Sequence, residues 1–137
     1  MTAELFTEPW AQAWAQELND SPAYRSAASD WHGSICFKLK DRDPSRQKSI
    51  FLDLEEGQCR AARTATEEDL ENARFVLTAR KRVWKRLVEG RSDPLVVLMT
   101  GLVRFERGKL TDFVGHGKAA QELMRAAHRI GRPSSGS

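Results

Sequence analysis

The chain holds little of what catalysis is usually built from. Its two cysteines, Cys36 and Cys59, stand far apart in 137 residues and belong to no CxxC or Cys/His pattern. The opening MTAELFTEPW has glutamates and no cationic n-region, so no secretory signal is visible, and two such cysteines read as reduced thiols. Three histidines, His32, His116 and His128, show no HxH or HExxH spacing, which argues against a metal site. No glycine-rich phosphate loop appears, because Gly101 and Gly108 flank a strand rather than open a helix, and GxSxG is absent. The acidic pairs Glu55-Glu56 and Glu67-Glu68 fall at a turn and a helix start, where carboxylates are stabilising or merely exposed. The expectation is a protein without catalysis, cofactor or metal. No apolar run reaches the roughly 18 residues of a membrane helix, and the default location is cytoplasmic.

Charge of either sign is also modest. A net charge of +3 with 22 basic and 19 acidic residues is weaker than the field of a typical nucleic-acid binder. The basic residues are concentrated, however: Arg80, Lys81, Arg82, Lys85 and Arg86 crowd one helix, just after Glu67, Glu68, Asp69 and Glu71. No aromatic residues interleave with that helix as in a base-stacking platform, so nucleic acid is not expected as a partner. The cluster is either a solvated face or, through Lys81, Arg82, Lys85 and Arg86, a docking face for an anionic membrane.

What the chain does have is apolar periodicity. At 137 residues it is long enough for one domain with a real core, placed at 1–130, with RPSSGS in a disordered tail over 131–137. Trp10, Ala13, Trp14 and Leu18 fall on one face of a helix over residues 8–19, with Pro9 in its first turn. A short helical piece follows near Tyr24–Ala28. Ile35, Phe37 and Leu39 alternate with Cys36, Lys38 and Lys40, the pattern of a half-buried strand. Ile50, Leu52 and Leu54 alternate again up to the hairpin turn Glu55-Glu56-Gly57, and Gln58–Thr64 forms a third strand with Cys59 and Ala61 inward. Thr66 is a capping candidate with Asp69 three residues on, at the head of a segment too short to be a major helix. Arg74–Ala79 reads as a fourth strand and Leu102–Glu106 as a fifth, with Val103 and Phe105 on one face.

Between those two strands lies the stretch that organises the rest. Val83, Trp84, Leu87 and Val88 make a helix stopped at Gly90; Ser92 or Asp93 then caps a second helix with Pro94 in its first position. Leu95, Val96, Val97, Leu98 and Met99 leave that second helix no polar face, so it should be buried on most sides, either as the centre of the core or as the wall of an apolar cavity. Leu110, Phe113 and Val114 are irregularly placed before Gly115-His116-Gly117, where His116 is a turn residue or an imidazole held out to a ligand; His32 and His128 are expected at an edge or surface. A last helix over Lys118–Ile130 buries Ala120, Leu123, Met124 and Ala127. Antiparallel strands grouped together and helices clustered elsewhere define an α+β fold, a five-stranded, mostly antiparallel sheet with helices on one face.

The order and spacing of these segments resemble the lipid-transfer domain of the sterol carrier protein (SCP-2-like) family. The resemblance rests on Ala73-Arg74-Phe75-Val76-Leu77, on Trp84 to Gly90, on Asp93-Pro94 to Met99-Thr100-Gly101, and on Leu102 to Gly108. It is joined by Leu18-Asn19-Asp20-Ser21-Pro22 with Tyr24 and Trp31 after it, and reaches as far as Ile130; Arg74 and Lys109 stand where the family often has Asp. The resemblance implies an apolar tunnel between sheet and helices for a fatty acyl chain, a sterol or another apolar molecule, held without catalysis. The residues expected to line it are Trp84, Leu87, Leu95, Leu98, Met99, Phe105, Phe113, Leu123 and Met124. The competing expectation is a non-catalytic interaction or dimerisation module of the same fold, its cavity collapsed.

Overall fold

In the computed structural model, residues 4–130 are described; the tail over 131–137 lies outside them. The N-terminal helix α1 (Glu8–Asn19) starts where Thr7 accepts a hydrogen bond from the Trp10 amide, and Trp10, Ala11, Trp14 and Leu18 form its buried stripe. Helix α2 (Pro22–Ala27) follows, capped by the Ser21 hydroxyl. Strands β1 (His32–Lys40), β2 (Lys48–Glu55) and β3 (Gln58–Thr64) form an antiparallel meander, with a single 3₁₀ turn at Pro44–Arg46 between the first two. Its second turn is a two-residue hairpin in which Glu56 has φ 48° and Gly57 φ 82°, the left-handed pair that matches strand twist.

Helix α3 (Glu67–Asn72) then leads into β4 (Phe75–Arg80), helices α4 (Lys81–Val88) and α5 (Pro94–Met99), strand β5 (Arg104–Arg107), and helices α6 (Leu110–Val114) and α7 (Gly117–Ile130). The sheet order is β3-β2-β1-β4-β5. Three neighbouring pairs are antiparallel, and the central pair, β1 with β4, is parallel because α3 carries the chain back before β4 begins. This is the expected α+β fold with a mostly antiparallel five-stranded sheet.

Strand alternation divides the core. Ile35, Phe37, Leu39, Ile50, Leu52, Leu54, Phe75, Leu77 and Ala79 meet the helices in one large cluster, while Cys36, Phe51, Ala73 and Val76 form a small one on the other face. Leu70 of α3 packs on that second face, so α3 departs from the one-sided arrangement of the other helices. The inward pair Cys59 and Ala61 is also corrected. Asp53 pairs with Ala61 but Leu54 pairs with Cys59, leaving Arg60 as an extra residue in a β-bulge. The bulge reverses the alternation, so Cys59 and Ala62 face the main core while Ala61 packs with the small cluster.

Helix α5 is not buried on most sides. Val97 and Leu98 are buried, but Val96 is 57% and Met99 71% exposed, and Leu102 just beyond is 56% exposed. The helix has only six residues and lies against α7 with one stripe, so Val96 and Met99 face water while Pro94 and Leu95 are half-buried. Its start is defined as expected: the Asp93 carboxylate accepts from the Leu95 amide at 2.8 Å, with Pro94 next in the first turn. Asp93→Ala should therefore destabilise by about 1 kcal/mol in urea unfolding; an unchanged midpoint would show that tertiary packing alone holds α5.

The acidic segment before β4 is fixed by a capping box between Thr66 and Asp69, and Asp69 also accepts from Arg63 Nε at 3.0 Å and Nη2 at 2.7 Å. The Arg63 hydrogen bonds, with the Thr66 donors, hold the Asp69 carboxyl below the usual carboxylate range. The stability this gives is present above the ordinary Asp value of about 4 and is lost as pH falls through the lower native one. Asp69→Asn should thus be less stable at neutral pH and lose less on acidification below about pH 4, measured by urea unfolding across pH. Parallel pH profiles for variant and wild type would refute the linkage.

Candidate ligand-binding site

The helices on the main face do not close evenly on the sheet. Phe37 of β1 and Leu77 of β4 form a floor; Trp84 and Leu87 of α4, Pro94 and Leu98 of α5, Phe113 of α6, and Ala120, Leu123 and Met124 of α7 form the walls, with Val103 beside them. The space left between them is a slot of about 30 Å³. Every residue lining it is apolar apart from the Trp84 indole N–H, and that donates outward to the Lys38 carbonyl at 2.8 Å. The bond fixes the ring, which stands edge-on to Phe37 with centroids 5.7 Å apart. No hydrogen-bonding group faces the slot, so its contents can be held only by apolar burial and shape.

The slot is flanked by two further spaces. At one end it shares Phe113, Ala120 and Leu123 with a small space of about 10 Å³, bounded by Tyr24, Trp31 and His116. There His116 is half-buried, stacked edge-on to Trp31 at 5.0 Å, with Nδ1 donating to the Asp112 carbonyl at 3.1 Å. At the other end it shares Leu87, Pro94 and Met124 with an open vestibule of about 180 Å³. Ser92, Asp93, Gln121, Arg125 and His128 give that vestibule a polar rim. His128 is not a free edge residue: Nδ1 donates to the Val88 carbonyl at 2.9 Å, satisfying one of the last carbonyls of α4. The result is an apolar seam with a polar mouth, running between α7 and the α4–α5 turn.

Of the nine residues expected to line a cavity, Trp84, Leu87, Leu98, Phe113, Leu123 and Met124 come together around the slot. Leu95 is half-buried and packs toward Gly117, Phe105 is half-buried on β5 against Phe113, and Met99 faces solvent; these three do not line it. Phe37, Leu77, Pro94, Val103 and Ala120 line it unannounced. Phe37, Leu77 and Ala120 were legible as core, but which core residues border empty space depends on side-chain packing that no periodicity encodes. The polar mouth had no sequence signal, because its residues come from two segments well separated along the chain.

The other candidates are inert. Cys36 and Cys59 are free and buried, and burial pushes their thiols up to about 11 and about 12, leaving almost no thiolate at neutral pH. His32 pairs with Glu55 at 2.6 Å on the sheet surface and lines neither the slot nor the spaces beside it. Among the described residues no helix is long and apolar enough to cross a membrane.

The family model of the SCP-2 sterol transfer family matches residues 12–106. The structure is similar to a crystal structure of sterol carrier protein 2 at 39% identity and a TM-score of 0.82, covering 91% of this chain and 98% of that one. It is similar to the solution structure of a conserved hypothetical protein from Thermus thermophilus, described as possibly a sterol carrier protein, at 37% identity and a TM-score of 0.84, covering 100% and 97%. Sterol carrier protein 2 from Yarrowia lipolytica, in its apo form, shares the fold at 20% identity and a TM-score of 0.60, covering 92% and 95%. No curated protein sequence matches. The parallel central pair, the helices arranged over one sheet face, and a family match spanning α1 to β5 agree, and the chain belongs to the SCP-2 sterol transfer family.

Proposed function

We propose that this protein binds and carries a lipid or another apolar molecule without transforming it, the apolar part lying in the seam beneath α5 and α7. One observation carries the reading: a wholly apolar slot under a short helix shares Leu87, Pro94 and Met124 with a polar vestibule beside it. That arrangement suits an amphiphile or a long apolar chain. A slot of about 30 Å³ admits little more than a water. Loading therefore requires a wall to move, and α5 is held by one apolar stripe and a single side-chain cap. The basic face of α4 and the exposed Val96 and Met99 fit a carrier that meets an anionic bilayer to exchange its cargo. Native mass spectrometry of gently purified protein tests the reading: copurifying lipid is expected. A bare protein that also fails to take up a fatty acid or a sterol on incubation would contradict it.

A second reading, a non-catalytic interaction module, is favoured by the same small volume together with four exposed large apolar side chains, Val96, Met99, Leu102 and Val114. It requires a stable homodimer or partner complex. Under this reading Met99→Glu dissociates a dimer seen by light scattering, whereas the carrier reading expects a monomer with or without the substitution.

A further inference from the structure

A cavity larger than the seam lies elsewhere among the described residues. A groove of about 690 Å³ lies on the far side of α4, between that helix, the β1–β2 connection and the start of α1. It shares no lining residue with the slot, the vestibule or the space beside His116. Its size is that of small-molecule sites in general.

The groove is amphipathic. Leu5, Trp10, Leu39, Val88 and Ile130 supply an apolar floor. Four cations, Arg46, Lys48, Lys81 and Lys85, converge on it from two separate segments. Lys81 and Lys85 are one turn apart on α4, so they project on the same face. Three carboxylates also line the groove, against four cations, and two of the three face a cation. Glu4 takes Lys48 at 3.1 Å, Asp41 accepts the Asp43 amide at 2.9 Å, and Glu89 lies 3.6 Å from Arg91. Among the described residues Lys81 and Lys85 make no ion pair, and Arg46 reaches only Asp43, at 3.9 Å. Charge is therefore left over beside an apolar floor, and it is positive.

We infer that this groove is a second binding site, separate from the seam, for an amphiphile with an anionic head, a phosphate ester or a carboxylate. The head sits between Lys81, Lys85 and Arg46, and the alkyl chain lies along the half-buried Leu5 and Ile130, above the buried Trp10 and Leu39. Both parts are needed. An uncharged head leaves the lysines unpaired, and a small anion leaves the floor wet. The site stands whether or not the seam carries lipid, since the two have no residue in common.

The full chain titrated with dodecyl phosphate below its micellar concentration tests this, by calorimetry and by the shift of the Trp10 indole N–H in NMR. Lys81 and Lys85 are exposed, so K81E/K85E should fold as the wild type does. Saturable binding that shifts Trp10 is expected, weakened at least about tenfold in K81E/K85E and retained in Leu98→Arg, where the seam is blocked. Dodecanol and inorganic phosphate should each bind at least about tenfold more weakly than dodecyl phosphate. The inference is overturned if K81E/K85E binds like the wild type, if dodecanol binds as well as dodecyl phosphate, or if a folded Leu98→Arg or Leu98→Trp abolishes binding, which would place the amphiphile in the seam. It is overturned too if the lysines affect only binding to phosphatidylcholine–phosphatidylglycerol vesicles, or if the chain's own C-terminal segment fills the groove. Loss of seam binding alone would leave it standing.

Discussion

Trp14→Ala should lower the free energy of unfolding by about 4 kcal/mol, the cost of deleting a large buried aromatic side chain. Trp14 is 1% exposed and lies where α1, α7 and the sheet meet. Its ring lies 5.0 Å from both Trp10 and Phe37, and its indole N–H donates to the Leu123 carbonyl at 2.9 Å. The substitution thus removes packing from three layers and a hydrogen bond from α7, the helix that forms one wall of the seam. In a protein whose whole stability is about 5–15 kcal/mol, such a loss brings unfolding within reach of body temperature. Urea unfolding followed by far-UV circular dichroism measures it. A loss below about 1.5 kcal/mol would mean that the surrounding side chains collapse into the vacated space, and that α1 is not fixed through this residue.

Gly108→Ala should cost about 3 kcal/mol or more, although it adds a single methyl group. Gly108 has φ 93°, a conformation that L side chains rarely adopt. A Cβ there would stand 2.2 Å from Cδ1 and 2.8 Å from Cε1 of Phe75. Phe75 cannot give way: it is fully buried, with its ring 5.3 Å from Trp31 and 4.8 Å from Phe113. Strain and collision therefore add. A double-mutant cycle with Phe75→Leu separates them, because the smaller side chain relieves the collision and leaves the backbone strain. The cycle should show favourable coupling of at least about 1 kcal/mol. Additive effects would place the whole cost in the backbone.

The same region of the sheet shows what a sequence of this kind makes legible. Alternation at Ile35-Phe37-Leu39 and at Ile50-Leu52-Leu54 identifies the inner face of the sheet, because strand geometry ties side-chain direction to position parity. The caps at Thr66 with Asp69 and at Asp93 with Pro94, and the Gly57 turn, were legible for an equally local reason. Where a non-local event intervenes, parity fails. The bulge at Arg60 turns Ala61 to the other face, and only the pairing with β2 reveals it. That β4 lies parallel to β1, through α3 packed on the back of the sheet, is likewise decided by tertiary arrangement.

The site divides along the same line. Six of the nine residues expected to line a cavity do surround one slot, since helical spacing marks the faces of α4 and α7 that must turn inward. Met99 and Val96 face water because burial of an all-apolar helix depends on what lies around it, and α5 sits at the margin, packed chiefly against α7. The amphipathic groove was illegible for a third reason. Lys81 and Lys85 stood out as charge, but the apolar floor beside them is assembled from residues as distant as Leu5 and Ile130.

The most direct test of the carrier reading is titration of the protein with a fluorescent fatty acid, comparing wild type with Leu98→Arg and Leu98→Trp. Leu98 is buried in the wall of the slot, so arginine places a charge in it and tryptophan fills it. Leu98→Trp keeps the comparison valid if the arginine variant fails to fold. Saturable binding at micromolar concentrations by the wild type is expected, weakened at least about tenfold in whichever variant is folded. Absence of binding by the wild type, or binding unchanged in a folded variant, would contradict the placement of the ligand beneath α5.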